Sequence, residues 1–114
     1  MADYSEKLED LLDHYLIANE ELVKKKELGG VGYLLNGNMC LGIYGDFLVV
    51  RMGESLAKIL TSKMGIEPYD PQNKGLEDFI LVAPKIYNHS KALHKFVDQG
   101  IEYTAALPPK KQEF

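Results

Sequence analysis

Residues 31–51 read VGYLLNGNMCLGIYGDFLVVR, an apolar stretch that is interrupted twice by a short polar or glycine-containing pair. Asn36-Gly37 is a strong signal for a two-residue hairpin turn, and Gly45-Asp46 is a second candidate for such a turn. The segments beside the turns are rich in the β-branched and aromatic side chains that are typical of strands. The stretch therefore predicts a meander of three antiparallel strands over residues 31–35, 38–44 and 47–52.

The flanking sequence predicts helices and two more strands around this meander. Residues 4–25 repeat leucine and tyrosine with helical spacing and place acidic residues opposite them, which predicts an amphipathic helix. The remaining predicted elements are a helix over 54–64, strands over 66–69 and 79–82, and a last helix that Asn88 caps and Pro108-Pro109 ends. The predicted fold class is α+β, with two layers in the order α-β-β-β-α-β-β-α. Its antiparallel sheet has about five strands, with the helices on one face.

Length and charge narrow the classes of function. The chain has 114 residues and a mass of 12.8 kDa, which predicts a single domain over residues 1–110 and a polar tail over 111–114. The net charge of −4 lies entirely on residues 1–27, which hold eight acidic residues and four lysines, while the remaining charges balance. We therefore expect no direct nucleic-acid binding and no contact with an anionic membrane.

Other features predict a cytoplasmic protein without a catalytic site. Cys40 is the only cysteine, and the N-terminus lacks the pattern of a signal peptide. No apolar run approaches the ~18 residues of a membrane span. His89 and His94 stand five residues apart, which does not place them on one helical face as a zinc site requires. Gly29-Gly30 precedes a strand, whereas a phosphate-binding loop follows one. We expect no enzyme activity, no cofactor and no metal.

The two faces of the meander differ in composition. If both turns have two residues, Leu35 pairs with Asn38 and Tyr44 pairs with Phe47, and alternation assigns each side chain to a face. One face is a pure core surface, formed by Leu34, Met39, Leu41, Ile43, Leu48, Val50 and Met52. The second face holds Val31, Tyr33, Leu35, Asn38, Cys40, Gly42, Tyr44, Phe47, Val49 and Arg51.

The second face mixes tyrosine, phenylalanine and arginine with aliphatic residues, a composition that is enriched at protein interfaces. We expect it to bind a protein partner, most simply a second copy in a homodimer, with Tyr33, Tyr44, Phe47 and Arg51 as candidate contact residues. Two alternatives stay open at this point. A terminal segment of the chain can cover this face, or Arg51 and Tyr44 can hold an anion in a small-molecule-binding protein or weak enzyme.

Several segments resemble one protein family. They are GGVGYLLNGNM at 29–39, GIYGDFLVVRMG at 42–53, PYDP at 68–71 and the exit LPPK at 107–110. Together they resemble the TfoX/Sxy N-terminal domain, and the resemblance covers most of the chain. The sequence departs from the family pattern at Glu27-Leu28, at Asp78 where a glycine is expected, and at Phe96 where a tryptophan is typical.

The resemblance implies a secretion-chaperone-like α+β fold and a bacterial regulatory role connected with competence or transcription. Named members of the family carry a second, helical domain after this one, so the chain resembles a stand-alone N-terminal domain. The resemblance implies no catalytic residues. Taken with the composition of the second face, it leads us to expect a non-catalytic, cytoplasmic protein-interaction module.

Overall fold

The computed structural model describes residues 4–27, 30–69 and 77–110. Within these ranges the chain forms α1 (Glu6–Leu16), β1 (Leu22–Glu27), β2 (Gly30–Leu35), β3 (Asn38–Tyr44), β4 (Phe47–Arg51), α2 (Glu54–Leu60), β5 (Ile66–Pro68), β6 (Phe79–Val82), α3 (Pro84–Tyr87) and α4 (Ser90–Ala105). The predicted α+β class is confirmed, because helices pack on one face of an antiparallel sheet. The tail predicted at 111–114 lies outside the described residues.

The described strands form one open sheet in the order β1-β2-β3-β4-β6-β5, and every neighbouring pair is antiparallel. One core lies between this sheet and the helices, and it includes Leu12 of α1, Ala57 of α2, Tyr87 of α3 and Val97 of α4. The layers form because each helix has an apolar stripe that must be buried against the sheet. No helix in the described ranges is long and apolar enough to cross a bilayer.

The helix predicted over 4–25 is wrong in its second half. The Ser5 hydroxyl caps α1, which ends at Leu16. Asn19 then turns the chain, because its N–H donates to the Leu16 carbonyl and its side-chain oxygen accepts from the Glu21 N–H. Lys24, Lys25 and Lys26, which would suit the C-terminal end of a helix, lie instead on β1. β1 is an edge strand, where lysine discourages pairing with another sheet. The described sheet consequently has one strand more than the sequence predicts.

A β-bulge at Cys40 shifts the register between β2 and β3. Both predicted turns are confirmed, since each is closed by the expected pair of residues. Leu34 lies opposite Met39 as predicted, but Tyr33 lies opposite Leu41, so Cys40 is an extra residue on β3. Side chains of β2 and of the start of β3 therefore point to the face opposite to the predicted one.

Because of the bulge, six apolar or aromatic side chains lie on the face opposite to the predicted one. Four residues assigned to the second face belong to the core under the helices: Val31, Tyr33, Leu35 and Cys40. Two residues assigned to the core, Leu34 and Met39, are only partly buried and lie on the other side of the sheet. The predictions for β4 hold, because no irregularity separates it from β3.

The second and last helices each differ from prediction at one end. α2 stops at Leu60 rather than at Met64. Just after its end, the hydroxyls of Thr61 and Ser62 donate to the carbonyls of Lys58 and Ile59, respectively. The helical spacing of Ile59 and Met64 with Leu56 and Leu60 predicts that they point inward, but they are 63% and 84% exposed. The N-cap of α4 is His89 instead of Asn88, because Asn88 ends α3.

α4 packs closely on the bulged strand at Gly100. A β-carbon at this position would stand 3.0 Å from Leu41 Cδ2, 3.1 Å from Val50 Cγ1 and 3.2 Å from the Cys40 carbonyl oxygen. Two of these atoms belong to buried core side chains, and the third belongs to the backbone of the bulge. The glycine therefore sets how closely the helix layer approaches the sheet.

Replacing Gly100 with valine should push α4 away from β3 and destabilise the fold by about 1–3 kcal/mol, the usual cost of overpacking a core. Lys95→Val is the matched control, because Lys95 is exposed on the same helix and receives the same β-branched side chain. Urea unfolding measures the free energy of both variants. Equal stability of the two would show that the fold does not need the close approach at residue 100.

Candidate functional site

The side of the sheet that faces away from the helices is a candidate contact surface, here called the open face. Strand pairing and the alternation of side chains place on it Val23, Lys25, Leu34, Met39, Tyr44, Phe47, Val49, Arg51, Glu67, Phe79 and Leu81. Tyr69, which follows β5, packs against two of these residues. The apolar side chains that the described helices bury all belong to the core on the other side.

Three of the four predicted contact residues lie on the open face: Tyr44, Phe47 and Arg51. Tyr44 and Phe47 pair at one end of β4, and Arg51 stands at its other end beside Phe79. The Tyr69 ring joins the two ends, because its centroid lies 5.5 Å from that of Tyr44 and 6.1 Å from that of Phe79. Both contacts are edge-to-face, an orientation that aromatic rings favour. The role of these residues in binding stays a prediction.

Arg51 is held in place by three contacts. Its Nε donates to Asp78 Oδ2 at 2.8 Å, and a terminal nitrogen donates to the Met39 carbonyl at 3.5 Å. Its guanidinium carbon lies 5.1 Å from the centroid of the Phe79 ring. The side chains of Arg51 and Asp78 are 23% and 21% exposed. The positive charge is therefore paired with a carboxylate and stacked on an aromatic ring, a setting that suits the flat guanidinium group.

Asp78, Phe79 and Tyr69 belong to the open face although the sequence did not predict them as site residues. They reach this face because β6 pairs with β4 and β5 pairs with β6. Asp78 is also a position where the chain departs from the family pattern, in which a glycine is expected. This departure is the sequence feature that points to Asp78, because it introduces a charge, and in the structure that charge pairs with Arg51.

The open face is packed at its centre and exposed at its rim. Val49 is fully buried and Phe79 is 7% exposed, whereas Tyr44 is 47% and Val23 is 64% exposed. The side chain of Met39 also covers part of the sheet, because a β-carbon on the neighbouring Gly42 would stand 2.5 Å from its Cε. The surface thus offers aromatic and aliphatic area around the fixed Arg51–Asp78 pair, with Lys25 and Glu67 on the two edge strands. This composition suits contact with another protein surface.

The fourth predicted contact residue, Tyr33, lies elsewhere. It faces α1, is 3% exposed, and its hydroxyl donates to Asp13 Oδ1 at 2.8 Å. Lys24 Nζ lies 2.7 Å from Asp13 Oδ2 and 2.6 Å from Glu9 Oε2, and the Tyr4 hydroxyl donates to Glu9 Oε1 at 3.1 Å. This group, here called the α1–β1 ion cluster, ties the first helix to the edge of the sheet.

The charges of the α1–β1 ion cluster stabilise one another. The hydrogen bond from Lys24 lowers the pKa of Glu9 despite the opposing effect of burial. Burial would raise the pKa of Asp13, but hydrogen bonds from Lys24 and Tyr33 outweigh it and lower that pKa. Burial, together with the hydrogen bond to Asp13, raises the pKa of Tyr33. At neutral pH the two carboxyls are therefore ionised and the phenol is neutral.

Two residues with catalytic or metal-binding side chains, Cys40 and His94, lie in the core and on α4, respectively. Burial raises the pKa of the Cys40 thiol to about 11, so this core residue is not a thiolate at neutral pH. The His94 ring stacks on Tyr15 with centroids 4.0 Å apart. In the part of the chain that the structure describes, no three histidine, cysteine, aspartate or glutamate side chains are grouped to hold a metal ion. The absence of enzyme activity stays a prediction.

Comparison with models of protein families yields a match to the TfoX N-terminal domain over residues 14–104. The matched range includes all six described strands and nearly all of α4. The resemblance that the sequence motifs indicate is thereby confirmed. Neither the curated proteins nor the solved structures contain a match to the chain.

Replacing Glu9 with glutamine should lower stability at neutral pH by about 1–3 kcal/mol, because Lys24 loses a charged hydrogen-bond partner. Since the pKa of Glu9 is lowered in the folded state, its contribution is present above the ordinary value of 4.5 and is lost as the pH falls through the lowered pKa. The variant should therefore show a weaker pH dependence of thermal unfolding between about pH 5 and pH 3.

Glu6→Gln is the control for this experiment, because Glu6 is exposed on the same helix. It should keep the acid-dependent loss of stability that the wild-type chain shows. An unchanged pH dependence in the Glu9→Gln variant would contradict the role assigned to the ion cluster.

Proposed function

Because the chain belongs to the TfoX N-terminal domain family, we propose that it is a non-catalytic, cytoplasmic regulatory module of a bacterium that acts by binding a protein. The family supports a regulatory, competence-related kind of protein. The mode of action rests on a separate observation, the composition and packing of the open face.

The side chains of the open face carry the proposal. They are mainly aromatic or aliphatic and include a methionine and an arginine, which are types enriched in the cores of protein interfaces. Tyr44 and Val23 leave large apolar groups exposed at the rim of the face. Aromatic residues and arginine also supply much of the binding energy at interfaces, and they do so best when their positions are fixed beforehand. The hydrogen bond from Arg51 to Asp78 and the ring contact between Tyr69 and Tyr44 hold these side chains in position.

We propose a second copy of the chain as the partner of the open face. A two-fold dimer brings the same patch of both copies together, so an unpaired charge near the symmetry axis would face a like charge. The Asp78 carboxylate, 2.8 Å from Arg51 Nε, neutralises the arginine and removes that repulsion. A neutral, largely apolar surface therefore suits a second copy better than a strongly charged partner.

The alternative function, in which Arg51 and Tyr44 bind a small anion, has less support. The two residues stand at opposite ends of the β3–β4 region, and Asp78 already neutralises the guanidinium. Among the described residues, the cavities of about 200 and 540 Å³ are lined by neither Arg51 nor Tyr44. These observations favour a surface contact over a ligand pocket.

Light scattering across a concentration series tests the proposal. We expect the solution mass to rise from 12.8 kDa toward twice that value as the concentration increases. Tyr44→Lys should weaken the association about tenfold or more, because it removes an exposed aromatic side chain and places like charges in the contact.

Ile59→Lys is the matched control for Tyr44→Lys. Ile59 is 63% exposed on α2, outside the open face, and the substitution also exchanges an exposed apolar side chain for a positive charge. Circular dichroism establishes that both variants fold. A wild-type chain that stays monomeric at every concentration, or equal weakening in the two variants, would contradict a dimer through the open face.

A further inference from the structure

A groove on the helix side of the molecule is separate from the open face. It lies between the end of α1, the turn to β1 and the middle of α4, and has a volume of about 540 Å³. Its lining residues are Tyr15, Leu16, Ala18, Asn19, Glu20, Glu21, Asp98 and Ile101. Four of them are apolar or aromatic, three are acidic and none is basic. We call it the α1–α4 groove.

Local hydrogen bonds fix the walls of the α1–α4 groove. The Tyr15 hydroxyl donates to Asp98 Oδ1 at 2.9 Å, which connects α1 to α4. The turn is held by Asn19, whose N–H donates to the Leu16 carbonyl at 2.8 Å and whose Oδ1 accepts from the Glu21 N–H at 3.2 Å. The groove is therefore formed before any partner arrives, which lowers the entropic cost of binding.

Leu11 adds exposed apolar area to the side of α1 that carries the lining residue Tyr15. Leu11 is 38% exposed and lies one helical turn before Tyr15, on the same side of the helix. Apolar side chains that adjoin a groove and stay exposed mark an interaction site, whereas single scattered ones do not. An occupant that uses this surface needs an apolar side chain of its own.

The rim of the α1–α4 groove is negatively charged. Glu20 and Glu21 are exposed, and within the described ranges neither forms an ion pair. Asp98 adds a third carboxylate. Six of the lining residues also belong to the segment 1–27, which carries the whole net charge of the chain. A field of this sign attracts basic partners and repels acidic ones.

From this juxtaposition we infer that the α1–α4 groove binds a basic, amphipathic segment of another protein. An apolar side chain of the segment packs between Tyr15 and Ile101, and its lysine or arginine residues pair with Glu20 and Glu21. Because the groove shares no residue with the open face, it stays accessible when two copies associate through that face.

A fluorescent model peptide tests this inference on the full chain. The probe is a short peptide of leucine and lysine with the spacing of an amphipathic helix, and fluorescence anisotropy measures its binding. We expect saturable binding that weakens as the salt concentration rises from about 0.05 to about 0.3 M, because opposite charges are screened. A peptide with serine in place of each leucine should bind about tenfold more weakly or worse, since it loses the apolar contact. A peptide with glutamate in place of each lysine should not bind.

Two double variants locate the binding site. Replacing Glu20 and Glu21 with lysine should weaken binding of the leucine–lysine peptide about tenfold or more. Replacing Glu6 and Asp10 with lysine is the matched control, because both are exposed on α1 outside the groove and the net charge changes equally. This control should change the affinity less than about threefold, since exposed charges at a distance are screened.

Three results would each overturn the inference: no saturable binding of the leucine–lysine peptide, equal binding of the leucine and serine peptides, or equal losses in the two double variants. The peptide experiment does not depend on the mass measurement described above. A failure of the groove and a failure of the open-face dimer are therefore distinguishable.

Discussion

The extra residue at Cys40 determines which side chains enter the core. Without the bulge, Tyr33 would pair with Cys40, and the larger side chains of β2 would lie on the face away from the helices. With the bulge, these side chains join the core, and Tyr33 reaches the ion cluster on α1. The same strand lies close beneath Gly100 of α4. Sheet register, helix packing and the attachment of α1 thus depend on one local irregularity.

The molecule has two surfaces of different character. On the open face the Arg51–Asp78 pair neutralises itself, and most of the surrounding side chains are aromatic or aliphatic. On the helix side, Lys24 neutralises part of the acidic charge of α1, while Glu20 and Glu21 remain exposed at the following turn. A neutral surface suits association between copies, and an acidic groove suits a basic partner. The open face and the α1–α4 groove share no residue, so the two proposed contacts do not compete.

Local patterns predicted more of this structure than long-range contacts did. Asn36-Gly37 predicted its turn correctly because hairpin turns depend on the residues within them. The second half of the helix predicted over 4–25 was wrong because β1 depends on its pairing with β2 and on the ion pair between Lys24 and Glu9 of α1, neither of which local spacing reveals. Gly30 and Gly32 alternate with the larger residues of β2, a pattern that already favours Tyr33 as a core residue. The contact between Asp78 and Arg51 could not be predicted, because it depends on the pairing of β6 with β4, which no local pattern reveals.

Hydroxyl-radical footprinting at low and high protein concentration tests most directly whether the open face is the contact between copies. We expect Met39 and Tyr44 to become less reactive as the mass of the particle rises. Met64, which is 84% exposed outside the sheet, should keep its reactivity, and Tyr33, which is 3% exposed, should be protected throughout. Association without any change in the reactivity of Met39 and Tyr44 would place the contact elsewhere and contradict the role of the open face.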